Sequence, residues 1–212
     1  MKNKNIIFDL DGTLIDSKLE VLSTYKKVIS EIAPSQKFDE TNIDYGANLN
    51  SVLSSIYKNE TEKIAQAKQL FVSSYDNSNY DDALLYSGVI DVLTYLKSKN
   101  YNLFIATNKR NTPTIKLLET KKLTRFFTGI IGNEIEPGVS INKTKMIELL
   151  KAKHLFTSGF MIGDTIGDIE AGINNNLDTI AVLYGYGTLA ELANLKPNYI
   201  INSITELTTI FD

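Results

Sequence analysis

Two short segments carry carboxylates at spacings suited to cation and phosphoryl chemistry. Asp9-Leu10-Asp11-Gly12-Thr13 follows directly on the apolar run Ile6-Ile7-Phe8. Carboxylates two residues apart in a tight turn repel each other, and a divalent cation beside them relieves that repulsion. Gly12 permits the sharp turn that brings backbone N–H groups toward an anion. Asp-Gly is also an ordinary turn pair, so the pentapeptide needs company. It has some in Gly163-Asp164-Thr165-Ile166-Gly167-Asp168, which follows Phe160-Met161-Ile162 in the same way. Asp164 and Asp168 lie on one side of the chain if Asp168 opens the next helix. An acidic first helical turn is common and accounts for Asp168 better than for Asp164. Two such strand ends on one rim make a pocket of four carboxylates, which is costly without Mg²⁺.

A third segment, Ala106-Thr107-Asn108-Lys109, closes the run Leu103-Phe104-Ile105. Its hydroxyl, amide and ammonium all suit phosphoryl oxygens, although taken by itself Thr107 reads better as a cap before the helix at Pro113. Lys143 and Lys145 precede an apolar stripe at Met146. Each is either solvated surface or, if near the acidic rim, a counter-charge to it.

These residues need elements to position them. Short apolar runs recur at Ile6–Phe8, Leu103–Ala106, Gly129–Ile131, Phe160–Ile162, Thr179–Leu183 and Tyr199–Ile201. Such continuous runs suit strands buried on both faces of a parallel sheet. Between them the pattern turns helical: Val89, Val92, Leu93 and Leu96 form one stripe. Pro113 suits a first helical position, with Ile115 and Leu118 on one side. Asn142 is placed to cap the helix carrying Met146, Leu149 and Leu150. Asp168 to Asn174 and Thr188 to Leu195 supply two more. The alternation predicts βαβ units.

The stretch Asp16 to Leu85 differs. Val21, Tyr25, Val28, Ile29 and Ile32 lie at helical spacing, as do Val52, Leu53 and Ile56, then Ile64, Ala67, Leu70, Phe71 and Tyr75. A helical block thus interrupts an α/β domain after its first strand, with Ser73 to Asp82 expected as the return linker. The stripe at Val21, Tyr25, Val28 and Ile32 reads as core packing rather than a cofactor box.

Composition narrows the chemistry. The 212 residues include no Cys, no Trp and one His, His154, with a formal net charge of −3. A disulfide scaffold, a thiolate nucleophile, a zinc ribbon and an iron–sulfur cluster are excluded. His154 closes a helix in Lys151-Ala152-Lys153-His154, where a cation is routinely stabilising, and it neighbours no Ser or Asp motif of a hydrolase triad. The mild acidity argues against a nucleic-acid binder. No run is long enough to span a bilayer, and Ile6 to Phe8 is too short for a signal peptide. A cytoplasmic protein with neither a nucleic-acid nor a membrane partner is expected.

Taken together, the motifs resemble those of the haloacid dehalogenase-like (HAD) phosphohydrolases, the phosphoglycolate-phosphatase-like subgroup in particular. Asp-x-Asp-Gly-Thr stands as Asp9 to Thr13, the Thr after a strand as Thr107 within Thr-Asn-Lys, and Gly-Asp-x-x-x-Asp as Gly163 to Asp168. Gly185-Tyr186-Gly187 is similar to that subgroup's chain end. One departure is the Lys-Pro pair of many members, which reads Glu136-Pro137 here. Members that carry this lysine at the start of the next helix are better matched, which points to Lys143, with Lys145 as the alternate.

The resemblance implies an α/β, Rossmann-like parallel-sheet core of residues 1–15 and 86–212, with a helical C1-type cap, residues 16–85, inserted after the first strand. It implies Asp9 as nucleophile and Asp11 as acid and base. Mg²⁺ would be held by Asp9, the carbonyl of Asp11, and Asp164, with Asp168 in support. Thr107 and Asn108 would hold phosphate, as would Gly12, Thr13 and Lys109, and Lys143 would offset charge. A carboxylate at Asp11 argues against halide chemistry, because true dehalogenases lack it. Within the insert, Asp44-Tyr45-Gly46-Ala47-Asn48-Leu49 resembles the cap segment facing the active site, which makes Tyr45 a substrate contact; an ordinary helix connection explains it equally well. The substrate implied is a small phosphorylated metabolite, and the chain is expected to be a monomer or weak homodimer. A β-phosphoglucomutase-like mutase, a nucleotidase or pyrophosphatase, and a binding module without turnover are the alternatives.

Overall fold

The computed structural model describes residues 4–36, 38–43, 45, 49–58, 60–136 and 139–212. The chain divides into two compact units, residues 1–16 with 85–212, and residues 17–84.

In the larger unit β1 (Asn5–Phe8) is followed by the two-residue strand β2 (Ile15–Asp16). The smaller unit contributes α1 (Lys18–Ile32), α2 (Leu49–Tyr57) and α3 (Thr61–Asp76), after which comes the short strand β3 (Leu84–Leu85). Then follow α4 (Val89–Ser98), β4 (Asn102–Ala106), α5 (Asn111–Thr120), β5 (Phe127–Ile131), β6 (Glu134–Glu136), β7 (Val139–Ser140) and α6 (Lys143–His154). The chain continues through β8 (Phe160–Gly163), α7 (Ile166–Asn174), β9 (Asp178–Val182), α8 (Leu189–Asn194), β10 (Tyr199–Ile201) and α9 (Leu207–Ile210).

Six strands form one parallel sheet in the order β10-β9-β8-β1-β4-β5. They are the six apolar runs of the sequence. After β1 the chain builds outward through β4 and β5, then returns to the other side of β1 for β8, β9 and β10. The strand order therefore reverses beside β1, and the carboxyl ends of β4, β1 and β8 meet there. In open α/β sheets that crevice is where ligands bind.

Both faces of the central strands are buried. Ile7, Phe104 and Met161 pack on one face with Met146, Ile147 and Leu150 of α6 and Ala171 of α7. Their strand neighbours Ile6, Phe8, Leu103 and Ile105 point to the opposite face and are fully buried too. This explains why the strands read as unbroken apolar runs rather than alternating ones.

Local chemistry places the helix starts. Asn142 accepts a hydrogen bond from the Lys145 N–H at 2.9 Å and caps α6 as expected. Helix α5 starts at Asn111, so Pro113 stands third rather than first. That position is tolerated because the first four helical N–H groups have no intrahelical acceptor. The buried side of α5 is Thr114, Leu117 and Leu118, while Ile115 is exposed. Similarly α7 starts at Ile166 under a Thr165 cap, and Asp168 is its third residue rather than its opening one.

The helical unit has its own core. Tyr25 of α1 packs on Phe71 of α3 with ring centroids 4.6 Å apart, and Phe71 stacks on Tyr75 at 5.6 Å. Val28, Ile29, Leu53 and Ala67 are buried with them. Helix α3 runs through Asp76, so the return segment starts later than the polar composition from Ser73 suggests. Buried Glu20 braces that segment: its carboxylate accepts from the Ser78 hydroxyl and, at 3.2 Å, from the Asp82 N–H.

Candidate active site

The turn after β1 is built by its own backbone. The Leu14 and Ile15 N–H groups donate to the Leu10 carbonyl at 2.9 and 3.0 Å, and the Gly12 N–H donates to the Ile15 carbonyl at 2.8 Å. Gly12 has φ +85°, and a Cβ there would lie 2.2 Å from Asp164 Oδ2. Glycine is required twice over, for the backbone angle and for the approach of the second acidic segment. The Asp9 N–H donates to the Ile162 carbonyl at 2.9 Å, tying the nucleophile candidate to the end of β8.

Asp9, Asp164 and Asp168 converge: one carboxylate oxygen from each lies within 4.8 Å of the others, and all three residues are buried. The Asp11 carboxylate stands apart from this group. Its Oδ2 lies 3.0 Å from Lys109 Nζ, so Lys109 meets the side chain of Asp11 rather than an open rim. Lys143 Nζ lies 2.7 Å from Asp9 Oδ1 and also donates to Asp168. Lys145 instead faces solvent and pairs with Glu148 at 2.8 Å. Of the two candidate lysines, the fold brings only Lys143 to the carboxylates.

The remaining Asp168 oxygen accepts from the Thr165 N–H at 2.8 Å and the Thr165 hydroxyl at 2.7 Å. Asp164 is held differently: Thr13 Oγ1 donates to its Oδ1 at 3.0 Å, and the Tyr186 N–H donates to its Oδ2 at 2.7 Å. Thr107, at the end of β4, is buried, and its hydroxyl accepts from the Lys109 N–H at 3.2 Å. Asn108 beside it is exposed. Tyr45 belongs to the helical unit, with Lys18 Nζ 5.9 Å from its ring centroid. Asp44 and Gly46 to Asn48 lie outside the described residues, as does Pro137 of the Glu136-Pro137 pair.

The electrostatics match this crowding. Burial pushes the Asp9 carboxyl well above its usual range; Lys143 opposes that, while Asp168 and Asp164 reinforce it. Burial, then Asp168, push Asp164 up to about 6, against the pull of the Tyr186 N–H, Lys143 and Thr13. For Lys143 burial alone would lower the value, but Asp168 and Asp9 outweigh it and raise the ammonium above its ordinary range. Three buried carboxylates facing one lysine leave negative charge uncompensated. All are hard oxygen donors, the set preferred by Mg²⁺-like cations.

Two residues near this cluster had no motif to announce them. Tyr184 donates to the Thr13 carbonyl at 2.9 Å, and its ring packs on Tyr86 with centroids 4.7 Å apart. Burial pushes both phenols up, and Asp16, Asp164 and Asp11 add to this at Tyr86. The available signal was a Tyr-Gly-Tyr-Gly run directly after a strand.

Residues 6–182, most of the chain, match the family model of the haloacid dehalogenase-like hydrolases. The chain belongs to that family and is an enzyme of the phosphohydrolase class. It is similar along nearly its whole length to pyrophosphatase PpaX of Listeria welshimeri, at 26% identity over 213 residues covering 99% of this chain and 96% of that one. With pyrophosphatase PpaX of Bacillus cereus the identity is 28% over 218 residues, covering 99% and 97%. Among solved structures, a haloacid dehalogenase-like family hydrolase of Streptococcus pneumoniae superposes with a TM-score of 0.89 at 27% identity, over 99% of both chains. The family resemblance carried by the motifs and the α/β parallel-sheet class are both borne out. Among the described residues no helix is long and apolar enough to cross a membrane.

Proposed function

We propose that this chain is a Mg²⁺-dependent phosphatase that moves the phosphoryl group of a small phosphorylated metabolite onto Asp9 and then to water. The observation that carries the reading is the placement of Asp9: a buried carboxylate at the carboxyl end of the central strand, paired with Lys143 and clustered with two further carboxylates.

The three carboxylates fit a hard divalent cation because burial and mutual repulsion disfavour the ionised forms of Asp9 and Asp164 without one. Asp9, Asp164 and Asp168 would hold it, with the Asp11 carbonyl as a further oxygen. Bound there, Mg²⁺ would neutralise charge on the transferring group. The rest falls to the chain. Asp9 attacks phosphorus, forming a new P–O bond as the bond to the leaving oxygen breaks. Asp11 gives its proton to that oxygen, then takes one from the water that opens the aspartyl-phosphate. Lys143 favours the ionised form of Asp9 and offsets the charge that gathers on the phosphoryl oxygens. Thr107 and Asn108 orient those oxygens; the Gly12 and Thr13 N–H groups, expected to do so, instead close the turn by donating to the Ile15 and Leu10 carbonyls.

A second reading gives pyrophosphate or a nucleotide as the substrate. It is supported by full-length similarity to proteins named pyrophosphatase. A phosphate-release screen over phosphoglycolate, sugar phosphates, nucleotides and pyrophosphate, with and without Mg²⁺, tests both. Mg²⁺-dependent release lost in Asp9→Asn supports the reading, and the preferred substrate separates the two. Mg²⁺-independent release, or release retained in Asp9→Asn, contradicts it.

A further inference from the structure

The loop Tyr184-Gly185-Tyr186-Gly187, directly after β9, is wrapped around the candidate metal ligand Asp164. It reaches Asp164 by two routes. The Tyr186 N–H donates straight to Oδ2 at 2.7 Å. On the other route the Tyr184 hydroxyl donates to the Thr13 carbonyl at 2.9 Å, and the Thr13 hydroxyl donates to Asp164 Oδ1 at 3.0 Å. Gly185 permits the approach: a Cβ there would lie 2.3 Å from Asp164 Cβ and 2.4 Å from the Gly12 carbonyl oxygen.

Asp168 has a neutral amide and hydroxyl too, from Thr165, but it differs from Asp164 in also meeting a cation, Lys143. Asp9 and Asp168 share a lysine ammonium, which cancels part of their charge. Asp164 is oriented by an amide and a hydroxyl, both neutral. Each carboxylate oxygen accepts about two hydrogen bonds, so both oxygens keep a lone pair for a cation. Neutral donors thus aim Asp164 and leave it the charge a cation needs.

We infer that Tyr184 is a positioning residue for the cation site, holding the Asp9–Thr13 turn so that Thr13 aims Asp164. The inference rests on the reading of Asp9, Asp164 and Asp168 as that site. Tyr86 supports the arrangement by packing on the Tyr184 ring, tilted by 59°. Hydrogen-bond partners behind metal ligands are typically worth about ten- to a hundredfold in metal affinity. Tyr184 acts one bond further back, so a loss of about five- to tenfold is expected.

The test is calorimetric Mg²⁺ binding to metal-stripped protein without substrate, which a purely structural tyrosine would not alter. Tyr184→Phe should weaken binding by about five- to tenfold, and Thr13→Val by at least as much. Because both lie on one route, the double variant should bind within about twofold of Thr13→Val. Tyr95→Phe, which removes a hydroxyl that donates to exposed Asp212, should bind like wild type. Thermal unfolding in chelator checks that each variant is folded, and Thr13→Val tests the route if Tyr184→Phe is not. Wild-type affinity in Tyr184→Phe, with binding lost in Asp164→Asn, overturns the positioning role and leaves the cation site standing. Absence of Mg²⁺ binding by the wild type overturns both.

Discussion

Lys143 Nζ lies 2.7 Å from Asp9 Oδ1 and donates at the same time to Asp168 Oδ1, so one buried ammonium joins the nucleophile candidate to the carboxylate that caps α7. The lysine is the first residue of α6, Asp9 follows β1, and Asp168 is the third residue of α7. A change at Lys143 therefore acts on charge balance and on the register of three elements together.

Lys143→Met should lower phosphate release by about a hundredfold or more. It should also destabilise the metal-free protein by up to roughly 3–5 kcal/mol, because two buried carboxylates lose their partner. Lys145→Met removes only an exposed pair with Glu148, and both its turnover and its stability should stay near wild type. Steady-state kinetics and denaturant unfolding of the two variants side by side check this, and equal losses would contradict the assignment.

Lys109 offers a different contrast. Its pairing with the Asp11 carboxylate at 3.0 Å places it beside the candidate acid–base group. If it works through Asp11, Lys109→Met should lower kcat by about tenfold and leave KM within about threefold, with partial recovery in Lys109→Arg. A raised KM with unchanged kcat would instead make Lys109 a phosphate ligand.

Asp164 gives the metal-free protein an unusual pH dependence. Its folded value, about 6, is raised above the ordinary 3.8, so between those pH values the folded state holds a proton that the unfolded chain has released. The stability this contributes is present at the acid end of that window and is lost as pH rises through about 6. Asp9 acts in the same direction. In chelator, Asp164→Asn should remove part of this slope and be more stable than wild type at pH 7 by about 1–3 kcal/mol. Mg²⁺ should reverse the order, because it stabilises only the chain that binds it. Unfolding curves with chelator and with Mg²⁺ decide it. A wild type no less stable than Asp164→Asn in chelator at pH 7 would contradict the charge-crowding argument.

His154 closes α6, and its ring packs on Phe104 with centroids 5.0 Å apart. His154→Ala should keep turnover within about twofold and lower the melting temperature by a few degrees, through lost packing alone. A large loss of turnover would reopen the question of a histidine in the chemistry.

Much of this arrangement is legible before folding. Residues buried on both faces, such as Ile6, Ile7 and Phe8, produce the apolar runs that marked the inner strands, while edge strand β10 was marked by an apolar run in which Tyr199 and Ile200 are exposed. Asp9, Asp164 and Thr107 follow strands directly, so placing the strands placed them. What stayed hidden depends on partners far along the chain. Nothing near Lys109 announces Asp11, and nothing near Tyr184 announces the Thr13 carbonyl. Local spacing also could not distinguish Asp168 opening α7 from Asp168 as its third residue. That choice follows from Thr165, whose hydroxyl and N–H both reach the Asp168 carboxylate. Likewise Lys143 and Lys145 look alike in sequence, and only the way α6 lies on the sheet separates them.

The central claim is that Asp9 carries the phosphoryl group. It is tested most directly by acid-quenching single turnovers of a hydrolysed substrate with Mg²⁺ and mapping the phosphorylated peptide by mass spectrometry. The account predicts a transient, hydroxylamine-labile phosphate on the peptide containing Asp9, absent in Asp9→Asn, which also loses turnover. A phosphate on another side chain, or an Asp9→Asn variant that turns over normally, would contradict it.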